Sequence, residues 1–435
     1  MMTEQQTEQG LNFLAFLEKL YGQFEPSDIL HKMRMKAWDH FLELGLPARN
    51  NEVYRSIKLR KLYEHAYQAA HPIDIAADAV AAYILPECQQ SVLVMVNGHY
   101  VPALSCTKAL PERMAIATTT EAMRTYSGFL TSQWAKSLKE ETDPLAAINR
   151  ALHRDGLFLY LPPKTVVETP IQILNIVDTK TAPMFIMPRV QGFVGAQSQM
   201  DIISTQAVLS GSNYAVNMLV DVTVEDDAHV HYTQIATGCS EELWQFEAVR
   251  ATLKRNSTLK TVAVTEGAAS IRNDYRVALV GENAEVQLNG VWMLKGKNEA
   301  HFNILIDHQA PNCRSMQLFK GVLNDTSRSS FDGKILVRQL AQKTEAFQLN
   351  NNLLLSDHAN ADSKPNLEIF ADDVKASHGA TVGQLDAEQI FYMKTRGFSQ
   401  TQAQNLLVYG YCEQVISLIK VPSVYQHMRQ RVQQY

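Results

Sequence analysis

The chain reads as a mainly β protein with helical segments at both ends. Two observations predict this. Between about 157 and 385, short segments rich in Val, Ile, Leu and Phe alternate apolar and polar residues with period two, and polar turns separate them. Before and after that stretch, apolar residues recur at helical spacing beside cap-type residues. The sequence thus divides into a mostly helical region 1–156 with a small hairpin, a β core 157–385 and a helical region 386–435.

The elements follow in order. Leu14, Leu17 and Tyr21 predict a first helix. A second opens near Ser27 and Asp28, carries Leu30, Met33, Ala37, Phe41 and Leu44 on one side, and stops at Gly45 and Pro47. Residues 52–70 are partly helical. Residues 91–104 form a hairpin around Asn97-Gly98. A helix over 143–155 has Asp143 as cap and Pro144 in its first position, with Gly156 as its end. In the core, strands are expected at Ile171–Ile176, Ala215–Val224, Glu285–Leu294, His301–Asp307, Met316–Leu323, Gly333–Val337, Ala346–Leu355 and Asn366–Val374. GKNEA, APNC, NDTS, FDG and DHANADSK are the expected turns, and SHGATVG is another. Many short strands joined by turns fit a sandwich, a barrel or a β-solenoid. In the C-terminal region, Asp386 with Gln389 and Ser399 with Gln402 have capping-box spacing, and Gly397 suits a helix end. The second of these helices carries Leu406, Leu407, Val415, Leu418 and Ile419. Pro422 breaks it and Ser423 is placed to cap the last one, whose RQRVQQY end is polar.

Composition excludes several function classes. The 435 residues are 46% hydrophobic and 20% charged, enough for a large core. A net charge of −5 without a basic stripe argues against nucleic acid. The MMTEQQTEQG start is polar and acidic, unlike a secretory or transit signal, and the longest apolar runs fall far short of the ~20 residues that span a bilayer. A cytoplasmic protein without a membrane partner is expected. Cys88, Cys106, Cys239, Cys313 and Cys412 are scattered and form no CxxC, so each reads as a small buried apolar residue.

No conventional active site emerges. Gly290 to Asn298 has a five-residue spacer and Asn in place of the hydroxyl of a phosphate loop, so it reads as a strand and turn. Glycoside hydrolysis needs two carboxylates roughly 5–9.5 Å apart. Asp372 and Asp373 point to opposite faces if on one strand, and Glu368 and Asp372 are about 13 Å apart along it. An acid on an adjacent coil could complete a pair, so a β-helix carbohydrate-active enzyme stays as the alternative. Asp307-His308 and Asp357-His358 read as turn-edge residues. His378 lies in Ala376-Ser377-His378-Gly379-Ala380-Thr381, where small neighbours would let another surface approach. Neutral imidazole is a good iron ligand, and a capped structural histidine is the competing reading.

Three long stretches carry a resemblance: ILIDHQAPNCRSMQLFKGVLNDTSRSSFDGKI, AQKTEAFQLNNNLLLSDHANADSKPNLEIFADDV and SHGATVGQLDAEQIFYMKTRG. They resemble the SufB/SufD family of iron–sulfur cluster assembly scaffolds over roughly 265–420. DGLFLYLP and the Gly45-Leu46-Pro47 to Glu52-Val53-Tyr54-Arg55 pattern are similar to the family's N-terminal part, less specifically. Ser-His-Gly-Ala is similar to SufD, where SufB has Glu-His-Glu-Ala. The resemblance implies a right-handed parallel β-helix core and a non-catalytic scaffold subunit of a SufBCD-type complex. It implies pairing with a SufB-like scaffold through the β-helix and with a SufC-like ATPase through the C-terminal helices, or a homodimer when isolated. Asp372, Asp373, Lys375, Ser377, Gly379, Gln389, Phe391, Tyr392, Arg396, Leu406 and Leu407 are the interface residues expected from it. It also implies that His378 and a partner Cys ligate a transient iron–sulfur cluster at the interface, with no cofactor held tightly by the isolated chain. Many SufD sequences have Cys-Ser-His-Gly; here Ala376 stands at the Cys position.

Overall fold

The computed structural model describes residues 7–180, 182–211 and 213–433. Most of the MMTEQQTEQG start and the last two residues of the RQRVQQY tail lie outside them. The core is a parallel β-solenoid of about eight turns whose strands alternate between two sheets. Thr258 pairs with Glu285, Glu285 with Arg314, Arg314 with Glu345 and Glu345 with Lys375 in one sheet. In the other, Ile271 pairs with Ala300, Ala300 with Ser329 and Ser329 with Ala361. The solenoid therefore prevails over the sandwich and the barrel.

Corner chemistry sets the coil length. Gln197, Asp227, Asn256, Asn283, Asn312 and Lys343 all have φ between 56° and 60°, spaced 27 to 31 residues apart at one corner. Asn and Asp tolerate that left-handed backbone better than other residues with a Cβ. They also bind coil to coil: Asn256 Nδ2 donates to Asp227 Oδ1 at 2.8 Å and Asn283 Nδ2 to Asn256 Oδ1 at 3.1 Å. Inside, Trp292, Phe302, Phe319 and Phe331 form a continuous stack with successive centroids 4.8, 5.2 and 5.2 Å apart. Gly321 makes room for it, because a Cβ there would sit 2.2 Å from Trp292 Nε1.

Helices α1 (Glu8–Tyr21), α2 (His31–Leu44), α3 (Leu59–Tyr63), α4 (Ala77–Ala81), α5 (Thr119–Glu140) and α6 (Pro144–Leu152) precede the core. Asp143 caps α6 as expected, accepting from the amides of Leu145 and Ala146. The helix ends at Leu152, not at Gly156, which instead lets Arg189 pass: a Cβ at 156 would lie 2.7 Å from its backbone oxygen. The Asn97-Gly98 hairpin forms, and Val92–Val96 continues the second sheet by pairing with Ile171–Asp178. The long helix α5 was not expected from the sequence, although Thr118 and Glu121 form a capping box at its start.

A buried ion network fixes α6 and its preceding loop to the first sheet. Arg250 contacts Glu141 Oε2 at 2.8 Å and Asp274 Oδ1 at 2.6 Å, while Arg272 contacts Asp143 at 2.9 Å and Asp274 Oδ2 at 2.7 Å. Burial pushes the Glu141 carboxyl up, but Arg250, Arg276 and Arg150 outweigh it and hold it at about 2.

The last coil departs from the sequence reading. FDG lies inside Arg328–Val337, and most of DHANADSK belongs to Asn360–Ile369. The expected strand Asn366–Val374 spans two strands and the corner between them, 370–373. SHGATVG is not a turn but the middle of Val374–Gln384. Pairing with the preceding coil overrides the turn preference of Gly, Ser and Asp in each case. Helices α7 (Ala387–Thr395), α8 (Gln400–Ile416) and α9 (Pro422–Gln433) follow. Asp386 caps α7 through the Glu388 amide, and Ser399 with Gln402 forms the expected box on α8. Val408, Cys412, Val415 and Ile416 of α8 pack on the outer face of the second sheet, against Val262, Val291, Met293 and Val322. Ser423 does not cap α9 in isolation: its amide donates to Glu87 Oε1 at 2.8 Å, so a distant carboxylate serves that end.

Candidate functional site

Both sheets end on strands with one neighbour each. Asn360–Ile369 is the terminal strand of the first sheet and Val374–Gln384 that of the second. Each presents a row of unpaired backbone groups ten or eleven residues long. The opposite end differs, because the short antiparallel strands His99–Tyr100 and Ala115–Thr118 terminate the two sheets there. Long open edges are a liability in a protein that stays alone. This one also exposes apolar side chains: Phe370 is 63% exposed and Val382 47%.

His378 stands on that edge. In register it lies opposite Gln348, which is buried inside the solenoid and donates to Gln317 Oε1 at 2.9 Å. Residues paired in register in a parallel sheet share a face. His378 therefore tops an inward-facing polar column and is exposed because no further coil covers it. The turn assumed for it is absent; small neighbours in a loop do not make it accessible, its position on the rim does. Ala376 shares its face, about 7 Å away along the strand, opposite buried Ala346. A thiol at 376 would have faced the same mouth.

The other expected interface residues fall into two groups. Asp372 and Asp373 are exposed at the corner before this strand, where the Asp373 amide donates to Gln342 Oε1 at 3.0 Å. Lys375 Nζ pairs with Glu345 at 3.2 Å. Ser377 is exposed, and Gly379 is half-buried near Leu349. The second group is on the helices. Gln389, Phe391 and Tyr392 are exposed on α7, which buries no side chain. Phe391 is 69% exposed. The Arg396 guanidinium lies 5.1 Å from the Tyr392 ring centroid and donates to its hydroxyl at 3.1 Å. Leu406 is exposed and Leu407 half-buried on α8. Sequence reasoning missed Ile369 and Val382 on the terminal strands and Phe370 in the corner between them; their exposure becomes legible only once the corner at 370–373 is placed.

Glu368 pairs with Lys334 at 2.6 Å and Asp307 with Arg338 at 2.9 Å. His308 ends its strand at a turn edge, as expected, and is also buried; burial lowers it to about 4, despite Asp307, and its Nε2 lies 2.9 Å from Ser315 Oγ. His358 is exposed in a turn. Gly296, in the false phosphate loop, is a corner with φ 61°. Burial pushes the thiols of Cys88, Cys239 and Cys412 to about 12 and Cys313 to about 11, which suits packing rather than reactivity. No group of three or more His, Cys, Asp or Glu residues poised for a metal occurs among the described residues. No helix among them is long and apolar enough to cross a membrane.

Comparison with known proteins agrees with the architecture. Residues 176–411 match the family described as SUF system FeS cluster assembly, SufBD core domain, and residues 18–173 match the SufBD protein N-terminal region. An iron–sulfur cluster assembly SufBD family protein of Synechocystis is 28% identical, covering 98% of this chain and 96% of the relative. The iron–sulfur cluster assembly protein SufD of Escherichia coli is 26% identical over 90% of each chain. SufD of Bacillus subtilis is 24% identical over 91% of each. A two-part family match spanning helices and solenoid, with SufD among the full-length relatives, makes this chain a SufD-like member of the SufB/SufD family of iron–sulfur cluster assembly proteins.

Proposed function

We propose that the chain is a non-catalytic scaffold subunit that pairs with a SufB-like protein through the open end of its solenoid. The single observation that carries this is the pair of terminal strands, each open along one edge, with exposed His378 and Val382 on the second and exposed Phe370 at the corner between them. A partner solenoid edge would satisfy those backbone groups and bury those side chains together. His378, on the inner rim, supplies one imidazole nitrogen to an iron–sulfur cluster held as cargo, and a partner thiolate supplies the soft ligand. In the partner's absence, a second copy of this chain fits the same edge as a homodimer.

The exposed face of α7, with Phe391 and Tyr392, is the proposed dock for a SufC-like ATPase. The edge strand ends at Gln384 and α7 begins at Ala387, while α8 packs on the same sheet. Force applied to these helices thus reaches the edge over a few residues, a route by which ATP binding would shift the interface.

Co-expression with the SufB and SufC proteins of the same cell, followed by native mass spectrometry, tests the reading. The expected species holds one copy of this chain, one SufB-like subunit and two ATPase subunits. A chain that stays monomeric or forms only homodimers in their presence would refute it.

A further inference from the structure

A column of side chains inside the solenoid ends on His378. Along the inner face of the second sheet, Leu288, Gln317, Gln348 and His378 follow one another in register, one per coil. Gln317 and Gln348 are buried and stack as a short amide ladder, with Gln348 Nε2 donating to Gln317 Oε1 at 2.9 Å. Gly333, on the facing sheet, makes room for it, because a Cβ there would lie 2.3 Å from Gln348 Nε2.

The ladder has a direction. Its two end atoms, Gln317 Nε2 and Gln348 Oε1, are buried and have no partner among the described residues. An amide that sends its nitrogen back to the preceding coil sends its oxygen on towards the next one. Gln317 Nε2 therefore ends the ladder against apolar Leu288, and Gln348 Oε1 ends it on the side of the last coil. Solvent does not reach that oxygen, so only a neighbouring side chain can fill it, and a buried acceptor left empty is costly. In the last coil the side chain of this column is His378, one strand spacing of about 4.8 Å away. Its ring makes no hydrogen bond among the described residues. Ala376 and Ala380 flank it on the same face and leave the ring space to turn inward.

We propose that Gln348 is a positioning residue for His378. Its Oε1 accepts from one protonated ring nitrogen and so holds the imidazole in a single tautomer, with the lone pair of the other nitrogen towards the partner. This rests on the reading of His378 as a cluster ligand. A histidine that binds a metal commonly donates its second ring nitrogen to an oxygen, which fixes both tautomer and orientation. Gln348 itself touches neither iron nor sulfide.

Long-range proton–nitrogen spectra of the full chain, labelled with 15N-imidazole histidine and recorded at pH 9, test this, with His378→Ala identifying the signals. The wild type should show one His378 tautomer in at least tenfold excess. Gln348→Met keeps the length of the side chain and removes the acceptor, and should reduce that excess below threefold. In the complex with the SufB-like and SufC-like partners, Gln348→Met should lower cluster loading at least threefold with unchanged subunit masses. A mixed tautomer in the wild type, or a wild-type ratio in Gln348→Met, would overturn the proposal; the first needs no Gln348 variant and so decides even if Gln348→Met does not fold. The two readings fail differently. Normal loading by Gln348→Met where His378→Ala does not load would overturn the positioning role alone, whereas normal loading by His378→Ala would overturn the ligand role on which it rests.

Discussion

Replacing Glu247 by Gln should make the protein more stable at pH 8, and by much less near pH 5. Glu247 lies inside the solenoid, where it accepts from the Tyr232 hydroxyl at 2.6 Å and from Gln234 Nε2 at 2.5 Å. Gln234 is itself held by Asn273 at 2.8 Å and by Tyr275 at 2.8 Å. Burial raises the carboxyl from 4.5 to about 7, against the pull of those two hydrogen bonds. The folded state therefore binds a proton that the unfolded chain releases near 4.5. The penalty is absent below that pH, grows as pH rises towards 7 and is constant above. One pKa unit is worth 1.36 kcal/mol, so the full shift costs about 3.5 kcal/mol, of which about 2.5 kcal/mol appears between pH 5 and 8. Glutamine mimics the neutral acid, with its oxygen towards Gln234 and its amide towards the Tyr232 oxygen. Urea unfolding of both proteins at pH 5, 6, 7 and 8 isolates the term, because other titrating groups cancel in the difference. A difference that stays flat across this range would mean that Glu247 carries no such burial penalty.

Three further substitutions probe other parts of the fold. Glu141→Gln removes one of the two buried carboxylates that Arg250 and Arg276 share, leaving only Asp274 to both, and should cost about 3 kcal/mol at pH 7 in chemical denaturation. Glu141 is held at about 2, below its unfolded value, so its contribution is full above pH 4.5 and is lost as pH falls towards 2; the gap to the variant should close over that range. Gly321→Ala drives a methyl group into the Trp292 indole and should cost about 1–3 kcal/mol, with a change in near-ultraviolet circular dichroism. Asn256→Ala should cost about 1–2 kcal/mol for its left-handed corner backbone, and Asn256→Gly clearly less, both read from thermal melts.

Much of this fold was legible in the sequence, and the rest was obscured for physical reasons. Strands such as Glu285–Leu294 and the capped helix α8 declare themselves by local periodicity and cap chemistry. The solenoid does not, because its defining signal is long-range: Asp227, Asn256, Asn283 and Asn312 at left-handed corners, with Gly238, Gly267 and Gly296 marking another set. That recurrence would have separated a solenoid from a sandwich without any resemblance. Helix α5 was missed although its Thr118-to-Glu121 box is a plain local signal. His378 was found by motif and misplaced by local rules. Ser377 and Gly379 favour a turn in isolation, but hydrogen bonds from Thr344–Leu354 hold the segment extended. What makes His378 accessible is the missing next coil, a property of the whole solenoid that no window of sequence contains.

If His378 is an interface ligand on the open rim rather than a structural side chain, cluster loading depends on it. The measurement is iron and sulfide loading of the purified complex of this chain with its SufB-like and SufC-like partners, comparing wild type with His378→Ala. Because the side chain is exposed and its strand is held by backbone pairing, the variant should assemble with the wild-type subunit masses and lose cluster loading. Wild-type loading by an intact His378→Ala complex would contradict the claim.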